Sequence, residues 1–478
     1  MVVEAHDGLW SADIATATNT AAPSTDNSTP TASSVQLGQK DPEKAHPEDN
    51  DDGGHDPENS GTVTQNTAPA AAAPPSLPPD GGLKAWLVVA GAFCSLFVSF
   101  GWINCIGVFQ DYYQGHQLKD MSPSTVAWIP SLETFVMFVG GPFFGTLFDN
   151  FGPRWLLLGG TFFHVFGLMM TSISKEYYQF ILAQGICSPL GASAVFYAST
   201  NSVVTWFHHK RALALGIMTA GSSLGGVIFP IMVDHLVPEV GFGWAMRICG
   251  FLILFLLGIS NLTVRSRLRH HRKPFSILDF LRPLRELRFV LTVTGAFFFF
   301  WGMFLPFTFV ILQAERYGMS PGLAAYLIPI LNAASVFGRT LPGYAADRLG
   351  RFNMMIIMTY ISSILVLALW LPSRSNAPAI VFSALYGFGS GAFVSLGPAL
   401  VAQISDVRQI GVRNGAFFAI ISFAALTGNP IGGALVPDVV HGSFTKLQVF
   451  CGVVMVAGST AFVAARWYIG GGKVFKKV

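Results

Sequence analysis

Arg339 is the side chain in this 478-residue sequence that most needs a chemical explanation. It lies inside a long apolar stretch, where an ionisable group is costly and is a functional candidate by default. Ser335 and Asn332 precede it at i−4 and i−7, so on a helix the three form one polar stripe suited to a central cavity. The competing reading is that Arg339 lies two turns from Asp347 and snorkels towards it. Glu133 is a carboxylate well inside another apolar stretch. It shares a helical face with Gly140, Gly141 and Gly145, and such small-residue faces pack against neighbouring helices, so Glu133 should look inward. Burial penalises a carboxylate's charged form, which is what a proton-coupling group needs. The alternative is a structural hydrogen bond near the helix end. His164 is a second candidate for moving protons, set against a packing histidine with both nitrogens satisfied. Tyr197, Asn201, Gln184 and Tyr386 are polar groups able to line a cavity, whereas Arg247 sits near a span end and tethers it.

Two loops carry a different chemistry. The first runs Gly145-Thr146-Leu147-Phe148-Asp149-Asn150-Phe151-Gly152-Pro153-Arg154, the second Gly343-Tyr344-Ala345-Ala346-Asp347-Arg348-Leu349-Gly350-Arg351. Gly145, Asp149 and Gly152 map onto Gly343, Asp347 and Gly350 with a constant offset of 198 residues, which implies an internal duplication. The glycines allow a tight turn between two helices. Each Asp can engage a neighbouring helix end and a basic side chain, Arg154 in one copy and Arg348 or Arg351 in the other. Such a charged latch can hold one face of a two-state protein closed.

The elements that position these residues must be membrane helices. Hydrophobic residues make up 51% of the chain and charged residues only 12%, and the mean hydropathy is +0.50, outside the range of ordinary soluble domains. Twelve apolar stretches of roughly 20 residues follow Lys84, each enough to cross a ~30 Å hydrocarbon core. Their limits are about 85–109, 124–148, 155–174, 178–205, 211–235, 244–264, 289–312, 321–345, 353–371, 378–404, 414–436 and 445–467. Lys and Arg concentrate in alternate loops, and the positive-inside rule puts those loops and both termini in the cytosol. Residues 1–80 are Ser-, Thr-, Pro- and acid-rich, cannot bury enough surface to offset chain entropy, and are expected to form a disordered cytosolic tail. The Asn27-Ser28-Thr29 sequon lies in that tail. Six-helix bundles are expected over 81–264 and 289–468, joined by a basic cytosolic linker, 265–288, and followed by a basic tail, 469–478. The linker carries eight Lys/Arg among aliphatics and suits the anionic cytosolic leaflet of the bilayer.

Other classes drop out. The net charge of +3 sums an acidic tail and a basic remainder, so it does not point to nucleic acid. Cys94, Cys105, Cys187, Cys249 and Cys451 fall in apolar stretches without paired spacing, which argues against a disulfide framework or a metal site. There is no Gly-rich phosphate loop and no nucleophile–base set, so neither an enzyme nor a cofactor is expected. Glycines recur in the fifth span (Gly216, Gly221, Gly225, Gly226) and the eleventh (Gly428, Gly432, Gly433), as close helix crossing requires.

The duplicated loop resembles the motif of the major facilitator superfamily; the second copy keeps every element, while the first has Asn150 where an Arg is typical and Pro153 inside the turn. Pro79-Asp80-Gly81-Gly82-Leu83-Lys84-Ala85-Trp86 resembles the entry to the first span in the monocarboxylate porter family, in its fungal branch. Trp206 to Gly216 and Phe337-Gly338-Arg339-Thr340-Leu341-Pro342-Gly343 resemble that family too, so the likeness spans nearly all of 79–468. It implies an all-α fold of twelve transmembrane helices in two pseudo-symmetric bundles, moving solutes by alternating access. It also implies that Arg339 binds a substrate carboxylate, a task that guanidinium performs bidentately without losing its charge. Lactate-type members place a Lys where this chain has Asn104 and an Asp where it has Ser335. Coupling by that Lys/Asp route is therefore not expected, and Glu133 or His164 must substitute if protons are used.

The expected function is secondary transport of a small organic anion or monocarboxylate-like acid, with protons as a candidate co-substrate. Within transport, the alternative is efflux of a larger amphipathic fungal metabolite, which the missing Lys and the many aromatics favour. From another class, the alternative is a non-transporting sensor. The expected substrate contacts are Arg339, Asn104, Ser335, Asn332, Tyr197 and Tyr386, in a monomer. The expected location is the plasma membrane, with the vacuolar membrane as alternative.

Overall fold

The computed structural model describes residues 78–270, 274, 276, 278–436, 443–473 and 476–478. The expected disordered tail up to residue 77, its sequon, and parts of the linker and of the basic tail lie outside the described residues.

All regular structure among the described residues is helical. Among the described residues, twelve long helices follow the twelve apolar stretches: α1 Leu83–Ile103, α2 Trp128–Phe151, α3 Pro153–Thr171, α4 Tyr177–Trp206, α5 Arg211–Val240, α6 Phe242–Thr263, α7 Leu287–Arg316, α8 Pro321–Leu349, α9 Arg351–Trp370, α10 Asn376–Gln403, α11 Val407–Ala434 and α12 Thr445–Gly470. Eleven are both long and apolar enough to cross a membrane. The exception, α3, has 19 residues, about 28 Å at the rise of an α-helix. Arg154, His164 and its glycines make it less apolar than the others.

Local chemistry explains the breaks. Gly152 and Gly350 have φ of 76° and 107°, which only glycine adopts without strain, so α2 turns into α3 and α8 into α9 across one residue. The first stretch departs from expectation by running on to Gly115. It bends at Ser99, loosens at Asn104 and resumes as a helix over Ile106–Gly115. Asn104 Nδ2 donates back to the carbonyls of Phe100 (3.1 Å) and Gly101 (3.4 Å), as such side chains do where a helix is interrupted. The N-terminal part of α4 contains a π-helical turn, Ile181–Cys187, a distortion frequent at functional sites.

Two bundles result. In the first, α1 packs on α4, α5 and α6, and α3 on α4 and α6; in the second, α7 packs on α11 and α12, and α9 on α10 and α12. The bundles meet along α5 against α8 and along α2 against α11. A Cβ on Gly145 would strike the Gly411 carbonyl, and one on Gly216 the Arg339 carbonyl, so helix backbones touch across the interface. In α11 this contact is made by Gly411 and Gly415, ahead of the expected Gly428–Gly433 group. Trp155, Phe162, Phe255, Leu262 and Phe337 are exposed around the outside, as lipid contact requires.

Candidate functional site

The latch loops come together at the end of the molecule that carries the basic loops. Asp149 at the end of α2 accepts hydrogen bonds from the backbone of Gly411 and Val412, both 2.9 Å, at the start of α11. Asp347 at the end of α8 accepts from Ala212 (3.1 Å) and Leu213 (2.9 Å) at the start of α5. Each carboxylate therefore caps a helix of the opposite bundle, where the exposed N–H groups and the helix dipole favour negative charge. The two joints repeat with the duplication. They are unequal, however. Arg351 pairs with Asp347 at 3.0 Å and also donates to the His208 carbonyl, tying α9 to the α4–α5 loop. Arg348 lies over the Tyr344 ring, 4.3 Å from its centroid, rather than on the carboxylate. Arg154 in the first copy is exposed, and no ion pair to it is found among the described residues. His270 of the linker stands there instead, with Nδ1 3.1 Å from the Asp149 carbonyl.

Asp80, just ahead of α1 and named above only within the family-like entry to the first span, adds a further clamp. Its Oδ1 accepts from the backbone of His208 (2.6 Å), His209 (2.7 Å) and Lys210 (3.2 Å), at φ 51°. Partial burial works to raise its pKa, but these three donors outweigh it and hold the carboxyl below the ordinary 3.8. A carboxyl depressed in the folded state adds stability above the unfolded value and loses it as pH falls through the folded one. Asp80→Ala should therefore lower the melting temperature at neutral pH by roughly 1–3 °C. The gap from the parent should close below about pH 3.8. A gap that did not change with pH would show that the carboxylate is not the anchor.

Behind the latches, Arg339 is buried at the interface of the bundles. Its Nη1 donates to the Thr219 carbonyl (2.8 Å) and to Ser222 Oγ on α5, and its Nε to Ser335 Oγ at 3.2 Å. Ser335 in turn accepts from Ser223 at 3.1 Å. No carboxylate, Asp347 included, forms an ion pair with the guanidinium among the described residues. It borders a small crevice with Asn104, Ser335, Phe304 and Ser390, and Phe100 lies 5.7 Å below it. Asn332 donates to the Gly226 carbonyl (3.4 Å), and Gly226 fits between Asn104 and Asn332 with no room for a side chain. A second crevice shares Phe100 and Val394 with the first and is lined by Phe138, Phe196, Phe300, Phe393 and Phe418. Each has room for little more than a water molecule, so the centre is closed in this state.

The other candidates lie apart from Arg339. The hydroxyls of Tyr197 and Tyr386 donate to the carbonyls of Phe138 (2.7 Å) and Met303 (2.8 Å), bracing neighbouring helices. Glu133 is 3% exposed and accepts from Gln184 Nε2 at 3.2 Å, while Gln184 Oε1 accepts from Tyr113 at 2.5 Å. This chain lies within the first bundle. His164 has Nδ1 2.9 Å from Ser188 Oγ and Nε2 3.1 Å from the Val98 carbonyl, so both ring nitrogens are occupied. Asn414 on α11 donates to Asn201 on α4 at 2.7 Å, a further bond between bundles on the latch side. Sequence reasoning missed Tyr113, Ser222 and Asn414. Only the i−4 and i−7 kind of spacing is legible in one helix, and these partners come from others.

A twelve-helix duplicated bundle with helix-capping Asp latches and an interfacial cation is matched by the family model described as Major Facilitator Superfamily, over residues 88–382. The chain belongs to that superfamily. It is an integral multi-pass membrane transporter of small molecules, not an enzyme. An "MFS-type transporter 1" of Ophiocordyceps sp. is 55% identical, covering 87% of this chain and 92% of that protein. A fujikurins efflux protein of Gibberella fujikuroi is 45% identical over 84% of this chain and 87% of its own length. The solved structure of the transporter FucP in the outward conformation has a TM-score of 0.62 at 13% identity, covering 80% of this facilitator and 99% of that chain, a likeness of fold.

Proposed function

We propose that this facilitator exports an amphipathic organic anion. The observation that carries the reading is Arg339, a buried guanidinium without a carboxylate partner among the described residues, at the edge of a phenylalanine-lined crevice. An unpaired buried charge is costly, and a substrate anion would offset that cost, while the rings suit an apolar body. The monocarboxylate-porter resemblance supports the anionic head; the aromatic lining and the fujikurins efflux relative favour a larger solute and the outward direction. Ser335 and Asn104 would serve as neutral hydrogen-bond partners beside the guanidinium. Residues 81–264 and 289–468 would rock against each other, with the linker 265–288 on the cytosolic leaflet. The basic end would then face the cytosol, in the plasma membrane. Counterflow in proteoliposomes with radiolabelled aryl carboxylates and their amides tests the reading. Acids should exchange and amides should not; equal exchange would refute it.

Proton coupling is assigned to Glu133. His164 is a weaker choice because both its nitrogens are engaged and one faces a carbonyl. Glu133→Gln mimics the protonated form and should remove the pH dependence of transport while leaving substrate exchange measurable. An unchanged pH profile would refute the assignment.

A further inference from the structure

Glu133, Gln184 and Tyr113 come from three elements, α2, the π-helical turn of α4 and the helix Ile106–Gly115, and all three are buried. Titratable groups near Glu133 are Tyr113 and Cys105, the residue that leads into the helix Ile106–Gly115. Among the described side chains no Lys, Arg, Asp or His bonds or pairs with Glu133; on α4 its partner is the amide of Gln184, and α11 faces α2 here with Phe423 against Phe135. His164 on α3 is committed to Ser188 and Val98.

An amide between a carboxyl group and a phenol has a direction. With Glu133 ionised, Gln184 must present its NH2 to the carboxylate and its oxygen to Tyr113, the arrangement seen here. With Glu133 protonated, its O–H needs an acceptor. Turning the amide over supplies Oε1 to Glu133 and leaves Nε2 facing Tyr113. The phenol must then accept, and its O–H must turn away. The Tyr113 ring packs on Phe180 of α4 (4.4 Å) and Phe242 of α6 (5.8 Å), at the end of the bundle remote from the latches.

We propose that Gln184 reads the protonation state of Glu133 and relays it to Tyr113, coupling proton binding to the helix Ile106–Gly115 at the end opposite the latches. Gln184 and Tyr113 are positioning residues in this account, and the proposal rests on Glu133 being the coupling carboxylate. The π-helical turn has a role here, because it sets the register that points Gln184 between the other two.

The test is an infrared titration of the purified full-length protein, following the carboxyl C=O band that Glu133→Gln removes. Tyr113→Phe deletes the hydroxyl that favours the ionised arrangement, so the midpoint should rise by about 0.5–1 pH unit, a roughly three- to ten-fold gain in proton affinity. Gln184→Leu also removes the donor to the carboxylate and should raise it further. If Gln184→Leu does not fold, Tyr113→Phe decides alone, since it removes one atom. A midpoint unchanged in Tyr113→Phe would overturn the relay and leave Glu133 as an isolated proton site. A band that persisted in Glu133→Gln would instead overturn the assignment beneath it.

Discussion

Arg339→Gln should abolish transport of an anionic substrate, by at least about 100-fold, while the protein still reaches the membrane. Glutamine keeps a donor for Ser335 or the Thr219 carbonyl, so packing between α5 and α8 is largely retained. What it removes is the charge. A bidentate guanidinium–carboxylate pair in a closed, low-dielectric site is worth several hydrogen bonds to neutral partners, and nothing else at the crevice is cationic. The buried position also makes Arg339→Lys a poor substitute, because one ammonium cannot span Thr219, Ser222 and a substrate together. Flux undiminished in the Gln variant would remove the anion-binding role.

Asp347→Asn should slow turnover about ten-fold or more while changing substrate affinity by no more than about two- to three-fold. The carboxylate accepts two backbone N–H groups of α5 and two from Arg351. An amide must present its NH2 to one of those donors, which weakens the joint that closes the basic end. None of this touches the crevice at Arg339. Asp149→Asn should act in the same direction on the α11 joint. A fall in affinity with turnover intact would contradict a gating role for the latch.

The spans were legible because each is a long apolar run ended by Gly, Pro or basic residues, and the helices end within a few residues of those limits. The first was the least legible: Asn104 interrupts the helix with its own side chain, and the chain resumes as Ile106–Gly115. The polar stripe of Asn332, Ser335 and Arg339 follows from one helix's period, and all three face α5. Their partners do not follow from it, since Thr219, Ser222 and Gly226 depend on how α5 is rotated against α8. Tyr197 and Tyr386 looked like cavity-lining groups by type, but their hydroxyls are spent on the carbonyls of Phe138 and Met303. The crevice is lined by phenylalanines instead, and 42 phenylalanines in the sequence give no hint of which converge. The latch Asp residues were legible from the repeat, whereas Asp80 was not, because its three donors lie about 130 residues away in the chain.

Export of an amphipathic acid held by Arg339 is the central claim, and its most direct test is a comparison of metabolites inside and outside the native cells. Mass spectra would be compared between cells with the protein, cells without it, and cells carrying Arg339→Gln. The account predicts that an acidic, aromatic or lipophilic compound falls in the medium and accumulates in the cells, equally in the deletion and in the Gln variant. A compound that is neutral, that accumulates outside instead, or that is exported normally by the Gln variant would contradict it.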